Sequence, residues 1–211
     1  RHGGRGGGNG NRLPRLTAAR RPGLAMTFHE SSPLPNKPPA RFVPEIPFPP
    51  YSYVTGRSPH PTSDPAGHSF GHLVPKPLPV APADWRHSRE YLLGCDLFNF
   101  GYYWEAHEVW EALWQACGRA GTAADFLKGL IKLAAAGVKV REGRPAGVAR
   151  HAARAGQLFG GVLRHAGRVC LGLDVARLIA IVDRLADHVT SPADLEPVEI
   201  VFDFHLLPAE P

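Results

Sequence analysis

Proline is missing from residues 83–144, although the chain holds 22 prolines and 17 of them fall before residue 83. The absence leaves that interval free to form uninterrupted helix, while the crowded front is barred from helix and from paired strand because each proline removes a main-chain donor. Cysteine is scarce: Cys95, Cys117 and Cys170 are odd in number and far apart. They make neither a disulfide framework nor a paired thiolate metal site, and a reducing cytosol is the expected compartment. No apolar run approaches the ~18 residues of a membrane span, and the first apolar stretches are too short and too broken by proline for a secretory signal. Acid is missing from the first 25 residues, which carry six arginines, so the net charge of +5 becomes −1 without them. The basic balance therefore belongs to a Gly/Arg-rich front and gives no reason to expect nucleic acid as partner.

The remaining pattern divides the chain at composition shifts. Residues 1–25 read as a disordered segment, 26–83 as a proline-rich extended arm, 84–190 as a helical domain and 191–211 as a tail packing on the bundle. Met26 is the only methionine, and the expectation is that it is the true start. If the preceding segment does belong, it resembles a short RGG-type arm able to touch RNA weakly. Residues 26–82 carry Phe42, Phe48, Tyr51, Tyr53 and Phe70. Either the arm lies along the helices and buries these rings, or it is a floppy linker.

Helical periodicity begins at Asp84. Helices are expected over Trp85–Phe98 with Asp84 as N-cap, Tyr103–Ala116, Ala123–Arg141, Pro145–His165, and from Asp174 to about Val189. Short links imply antiparallel neighbours. The small residues Ala149, Ala152, Ala153, Gly156, Gly160 and Gly161 of the fourth helix suit tight hairpins of tetratricopeptide type, although no 34-residue period recurs. The expected fold class is all-α: about five antiparallel helices in a compact bundle, with the arm extended beside it.

The second helix concentrates the chemistry. At 100° per residue, His107, Glu111, Tyr103, Trp104, Trp110 and Trp114 share an arc of about 120°. Glu108 falls at its edge and Glu105 points toward water. His107 and Glu111, four apart, are within reach of one another. A carboxylate among indoles costs several kcal/mol unless paired, so the pair is a structural lock, a site, or a purely exposed pair. As a site it is catalytic through His107 or Glu111 as general base, or a weak divalent-metal site with the same two ligands. Its ligand-binding walls would be Tyr103, Trp104, Glu108, Trp110 and Trp114, with Lys128 and Lys132 of the third helix near it. "HEVWE" is not the HExxH zinc motif, because Glu111 stands where the second histidine belongs, and another element must complete a metal set. Lys128, Lys132 and Lys139 form either a solvated face or a basic strip that attracts an anion. His60, Asp64, His68 and His72 recur every four residues, but prolines forbid the helix that would converge them. The arm nevertheless offers a way to bring one of these histidines over the His107/Glu111 face.

The run "FNFGYYWEAHEVWEALW" followed by "DFLKGLIKLAAAGVKVREG" resembles the family called domain of unknown function 309. The resemblance rests on His107, Glu111 and Trp114 in a His-x-x-x-Glu-x-x-Trp motif. It rests also on Phe126, Leu127, Gly129, Leu130, Ile131 and Ala134–Ala136 in a second segment, where Lys128 and Lys132 replace usual glutamines. It covers roughly residues 87–160, implies an all-helical cytosolic domain, and supplies no reaction. Two functions are thus expected as alternatives. One is a pocket binding a small ligand or divalent metal, with hydrolytic chemistry. The other is a non-catalytic helical module that binds a protein partner, or its own copy as a homo-oligomer, with the His/Glu pair structural. The Met26 expectation is checked by mass spectrometry of the native protein: its most N-terminal peptide should begin at or after Met26, and any peptide from residues 1–25 refutes it.

Overall fold

The computed structural model describes residue 3 and residues 39–73, 75–185 and 196–209. Contacts divide the chain into units 1–32 and 33–211; Gly3 is the only described residue of the first, and every described helix and strand belongs to the second. The Met26 start, the 1–25 segment apart from Gly3, and the end of the fifth helix lie outside the described residues.

The helical body is all-α. A 3-10 helix, Pro82–His87, comes first, where sequence reading expects α-helix from Trp85. Asp84 does not cap it: its φ/ψ is non-helical and it sits inside the kinked segment. The cap belongs instead to Ser88, whose side chain accepts from Tyr91 N and opens α1, Arg89–Asn99. A serine oxygen four residues on satisfies an orphan amide that Asp84 is too early to reach. α2 spans Tyr103–Ala116, α3 Thr122–Arg141 and α4 Pro145–Ala166. Pro145 occupies the first turn of α4, where its missing N–H costs nothing. α5, Val175–Leu185, completes the set. Successive helices α1 to α5 pack on one another in order, as short links require.

One element has no forecast in the periodicity. Val169–Cys170 (β1) pairs antiparallel with Leu173–Asp174 (β2). The two residues between them, Leu171 at φ +46° and Gly172 at φ +76°, form the positive-φ turn that suits a two-residue hairpin. Gly172 lies against the Trp85 ring, so close that a Cβ there would sit 2.4 Å from it, and the Tyr91 hydroxyl donates to Leu171 O at 2.7 Å. The hairpin thereby closes the bundle over the start of α1.

The core joins all five helices to the tail. Trp110, Tyr91, Tyr103, Phe98, Phe126 and Phe159 are fully buried. From the segment after α5, Phe202 stacks on Phe98 at 5.5 Å between ring centres and Phe204 lies tilted to it at 5.8 Å. Asn99 fixes this segment: its Nδ2 donates to Leu206 O and its Oδ1 accepts from Leu206 N. The three thiols are free. Burial pushes Cys95 well above the ordinary thiol range and Cys170 up to about 11, which suits inert core residues. No helix among the described residues is long and apolar enough to cross a membrane.

The contact between α1 and α2 depends on a missing side chain. Gly94 packs against the Trp110 indole, whose Nε1 donates to Tyr91 O, and a Cβ at Gly94 would fall 2.1 Å from that nitrogen. A rigid ring held by its own hydrogen bond cannot yield cheaply. Gly94→Ala should therefore cost about 1–3 kcal/mol of stability, read from the urea midpoint; an unchanged midpoint would show that the two helices slide apart freely.

Candidate functional site

Three faces meet along α2. The first is core: Tyr103, Ala106, Trp110 and Leu113 are at most 1% exposed. Tyr103 and Trp110 thus belong to the bundle interior, and the expectation that they wall an accessible site is corrected. They share the arc of His107 on the wheel, but the core is centred to one side of that arc, so its far half is sealed. Tyr103 is held by donation from Val201 N to its hydroxyl at 2.9 Å.

The second face carries the polar cluster. His107 Nδ1 stands 3.3 Å from Glu108 Oε1 and 3.6 Å from Glu111 Oε2. One ligand atom from each of the three lies within 4.8 Å of the others. The side chains are 24%, 49% and 40% exposed respectively, so water reaches the cluster. The His107/Glu111 pair is therefore a trio, with Glu108 the nearer carboxylate. Trp114, one turn on from Glu111, is half-buried; its Nε1 is buried with no hydrogen-bond partner among the described residues. Lys128 places its ammonium 4.9 Å from the Trp114 ring centre, a cation–π contact. Lys132 faces α4, where it helps to hold His151 neutral. Burial comes first in lowering the pKa of His151, followed by Lys132, Arg150, Lys139 and His107. Lys139 is paired with Glu142 at 2.6 Å, so the three lysines do not act as one strip.

The third face overturns the expectation for Glu105, placed toward water on the wheel. It is 6% exposed because the proline-rich arm covers it. Ser52 Oγ donates to its Oε2 at 3.0 Å, Tyr53 N donates to its Oε1 at 2.9 Å, and His68 Nε2 lies 3.2 Å from Oε1. His68 Nδ1 in turn meets Ser69 Oγ at 2.8 Å. An ionised carboxylate only accepts, so it selects the tautomer of His68 with hydrogen on Nε2 and leaves Nδ1 to accept from the serine. The arm also brings His60 against Trp104, 5.5 Å between ring centres, with Tyr53 alongside at 5.3 Å. Two arm histidines thus dock on α2, but over Trp104 and Glu105 rather than over His107. Asp64 stays in its own turn, accepting from Ala66 N, and His72 is exposed. Phe42 and Phe48 pack on the core, while Phe70 remains 46% exposed.

Between this arm, α1 and α2 lies an open cleft of about 350 Å³. Ile46, Leu93, Leu97, Trp104, Val109 and Ala112 make its apolar walls, and His68, Ser69, Glu105 and Glu108 its polar ones. Glu108 belongs to both the cleft and the His107 cluster. Sequence reasoning missed Ser52, His68, Ser69 and Glu105 as a group. The signals were an aromatic-rich arm that a solvated linker has no use for and the recurring arm histidines, His68 among them.

Residues 91–151 match the model of the family described as Domain of unknown function (DUF309). That segment holds α1 from Tyr91, all of α2 and α3, and the start of α4, so the family resemblance is supported where the cluster resides. Neither a curated protein nor a solved structure matches the chain.

Removing the Glu105 carboxylate leaves Ser52, Tyr53 and His68 facing a buried gap, at about 1–3 kcal/mol for the stranded donors. Glu105→Ala should accordingly lower stability and open the arm around residues 52–68 to limited proteolysis at a protease dose that leaves the parent intact. Unaltered arm protection would mean that ring packing alone holds it.

Proposed function

We propose that the DUF309-matching segment of this chain holds a divalent metal ion on α2 through His107, Glu108 and Glu111. The observation that carries this reading is the convergence of one imidazole nitrogen and two carboxylate oxygens within 4.8 Å. Ligand atoms that each stand about 2.0–2.2 Å from one cation lie roughly 3–3.5 Å from each other, and the nitrogen–oxygen separations of 3.3 and 3.6 Å match that spacing. Mixed nitrogen and oxygen donors without thiolate suit zinc or manganese better than calcium or copper(I).

All three donors come from one turn and a third of a single helix, and they face solvent. A cation held this way keeps open positions for water, the arrangement of a reactive centre and not of a closed structural one. Its chemistry would be hydrolytic: a metal-bound water deprotonates more easily and becomes the nucleophile. In this reading His107, Glu108 and Glu111 all act as ligands, and the proton lost by the bound water would pass to bulk solvent, which reaches the cluster. Trp114, with the Lys128 ammonium over its ring, borders the cluster on the α3 side. Three free thiols fit a reducing compartment, where cytosolic zinc and manganese are available.

Calorimetric titration of purified, chelator-stripped protein with Zn²⁺ and with Mn²⁺ tests the reading. One equivalent should bind, zinc more tightly than manganese, and His107→Ala and Glu111→Gln should each weaken zinc by tenfold or more while the fold persists. No stoichiometric binding, together with a marked stability loss in His107→Ala, would instead assign the trio to helix packing in a protein-interaction module.

A further inference from the structure

The Glu108 side chain joins the proposed metal site to the cleft under the arm, and the two have complementary chemistry. The α2 wall of the cleft runs from Trp104 to Ala112, eight steps of 1.5 Å, or about 12 Å. Leu93, Leu97 and Val109 make that length apolar, and none of the described residues lining it is a lysine or arginine. Glu105 and Glu108 therefore give the cleft a field that repels an anionic or electron-rich head. A cation on Glu108 reverses this locally, because a bound divalent ion is the largest charge in its site.

We infer that the cleft seats the substrate of the metal site. The substrate class is then a small molecule with an apolar body that fits within the about 12 Å wall and an oxygen-donor head, a carbonyl or carboxylate, that ligates the cation beside Glu108. The apolar body lies along Leu93, Leu97 and Val109 with Trp104 at one end. The head takes the coordination position that the exposed face of the cluster leaves to water. This inference rests on the metal reading, and the two fail differently.

The experiment uses the full chain, zinc-loaded, and two probes with the same chelating head: octanohydroxamate, whose tail matches the cleft, and acetohydroxamate, which has none. Calorimetry should find octanohydroxamate at least tenfold tighter, and chelator-stripped protein should bind neither. Ala112→Trp, which fills the cleft, should abolish the preference for the long tail and leave zinc affinity unchanged. Leu93→Gln, a smaller change on the opposite wall, provides the same comparison if the tryptophan variant fails to fold. Normal zinc binding with equal affinity for the two hydroxamates overturns the inference and leaves the metal site standing. Absence of zinc binding overturns both.

Discussion

The arrangement depends on buried side chains that bond the main chain of segments whose own main-chain bonds are only scattered turns. A proline-rich strip has too few N–H groups to join a ladder, yet every amide it buries needs a partner. The helices supply these partners from the side. Asp96, 1% exposed, accepts from Phe42 N and Val43 N at 2.8 Å each; Glu105 receives Ser52, Tyr53 and His68. Asn99 does the same for the tail at Leu206, and Arg141 donates to Glu196 O. Four of the five buried polar or charged residues among those described act on irregular chain in this way, and the fifth, Ser52, is one of the groups captured. Each such group would be costly alone. Each is tolerated because its bonds cross to a segment that would otherwise carry orphan amides.

Once the arm is docked, the chemistry of α2 is set. The helix has core on one side and arm on the other, and only the strip between them meets solvent. His107, Glu108 and Glu111 occupy this strip. The arm also creates the cleft, because proline-rich chain cannot settle into the groove between α1 and α2 as closely as a helix would. Aromatic contacts hold it at a distance instead: Phe48 lies against Phe100 and Tyr102, and Arg41 over Phe48. Docking of the arm thus makes the cleft, while helix spacing makes the polar cluster, and Glu108 stands at the boundary of the two.

Much of the helical body was legible in the chain. The limits of α2 are those the periodicity predicts, and α3 and α4 differ from expectation by one residue. Departures occur where local chemistry competes with periodicity. Asp84 resembles a cap, but the proline-led 3-10 turn delays the helix until Ser88. The β1–β2 hairpin is too short to show an alternating pattern. In the site, His107 and Glu111 were legible because spacing alone brings them together on a helix. Glu105 was not, since its partners lie more than 30 residues earlier in a segment with no period to extrapolate.

By itself, then, the sequence determined which residues share a helix and in what angular order, because 3.6 residues per turn sets that order without reference to anything else. It also determined that residues 26–82 would lack α-helix and paired strand, since proline forbids them locally, and the described residues 39–73 and 75–81 have neither. Only the tertiary structure decided where the core is centred on α2, which turned Tyr103 and Trp110 inward. It alone decided that Glu105 is buried, because a wheel gives relative direction but not what stands opposite. Burial is a property of the neighbour that arrives, and here the neighbour is an arm whose bonding needs, and not its periodicity, choose where it lands.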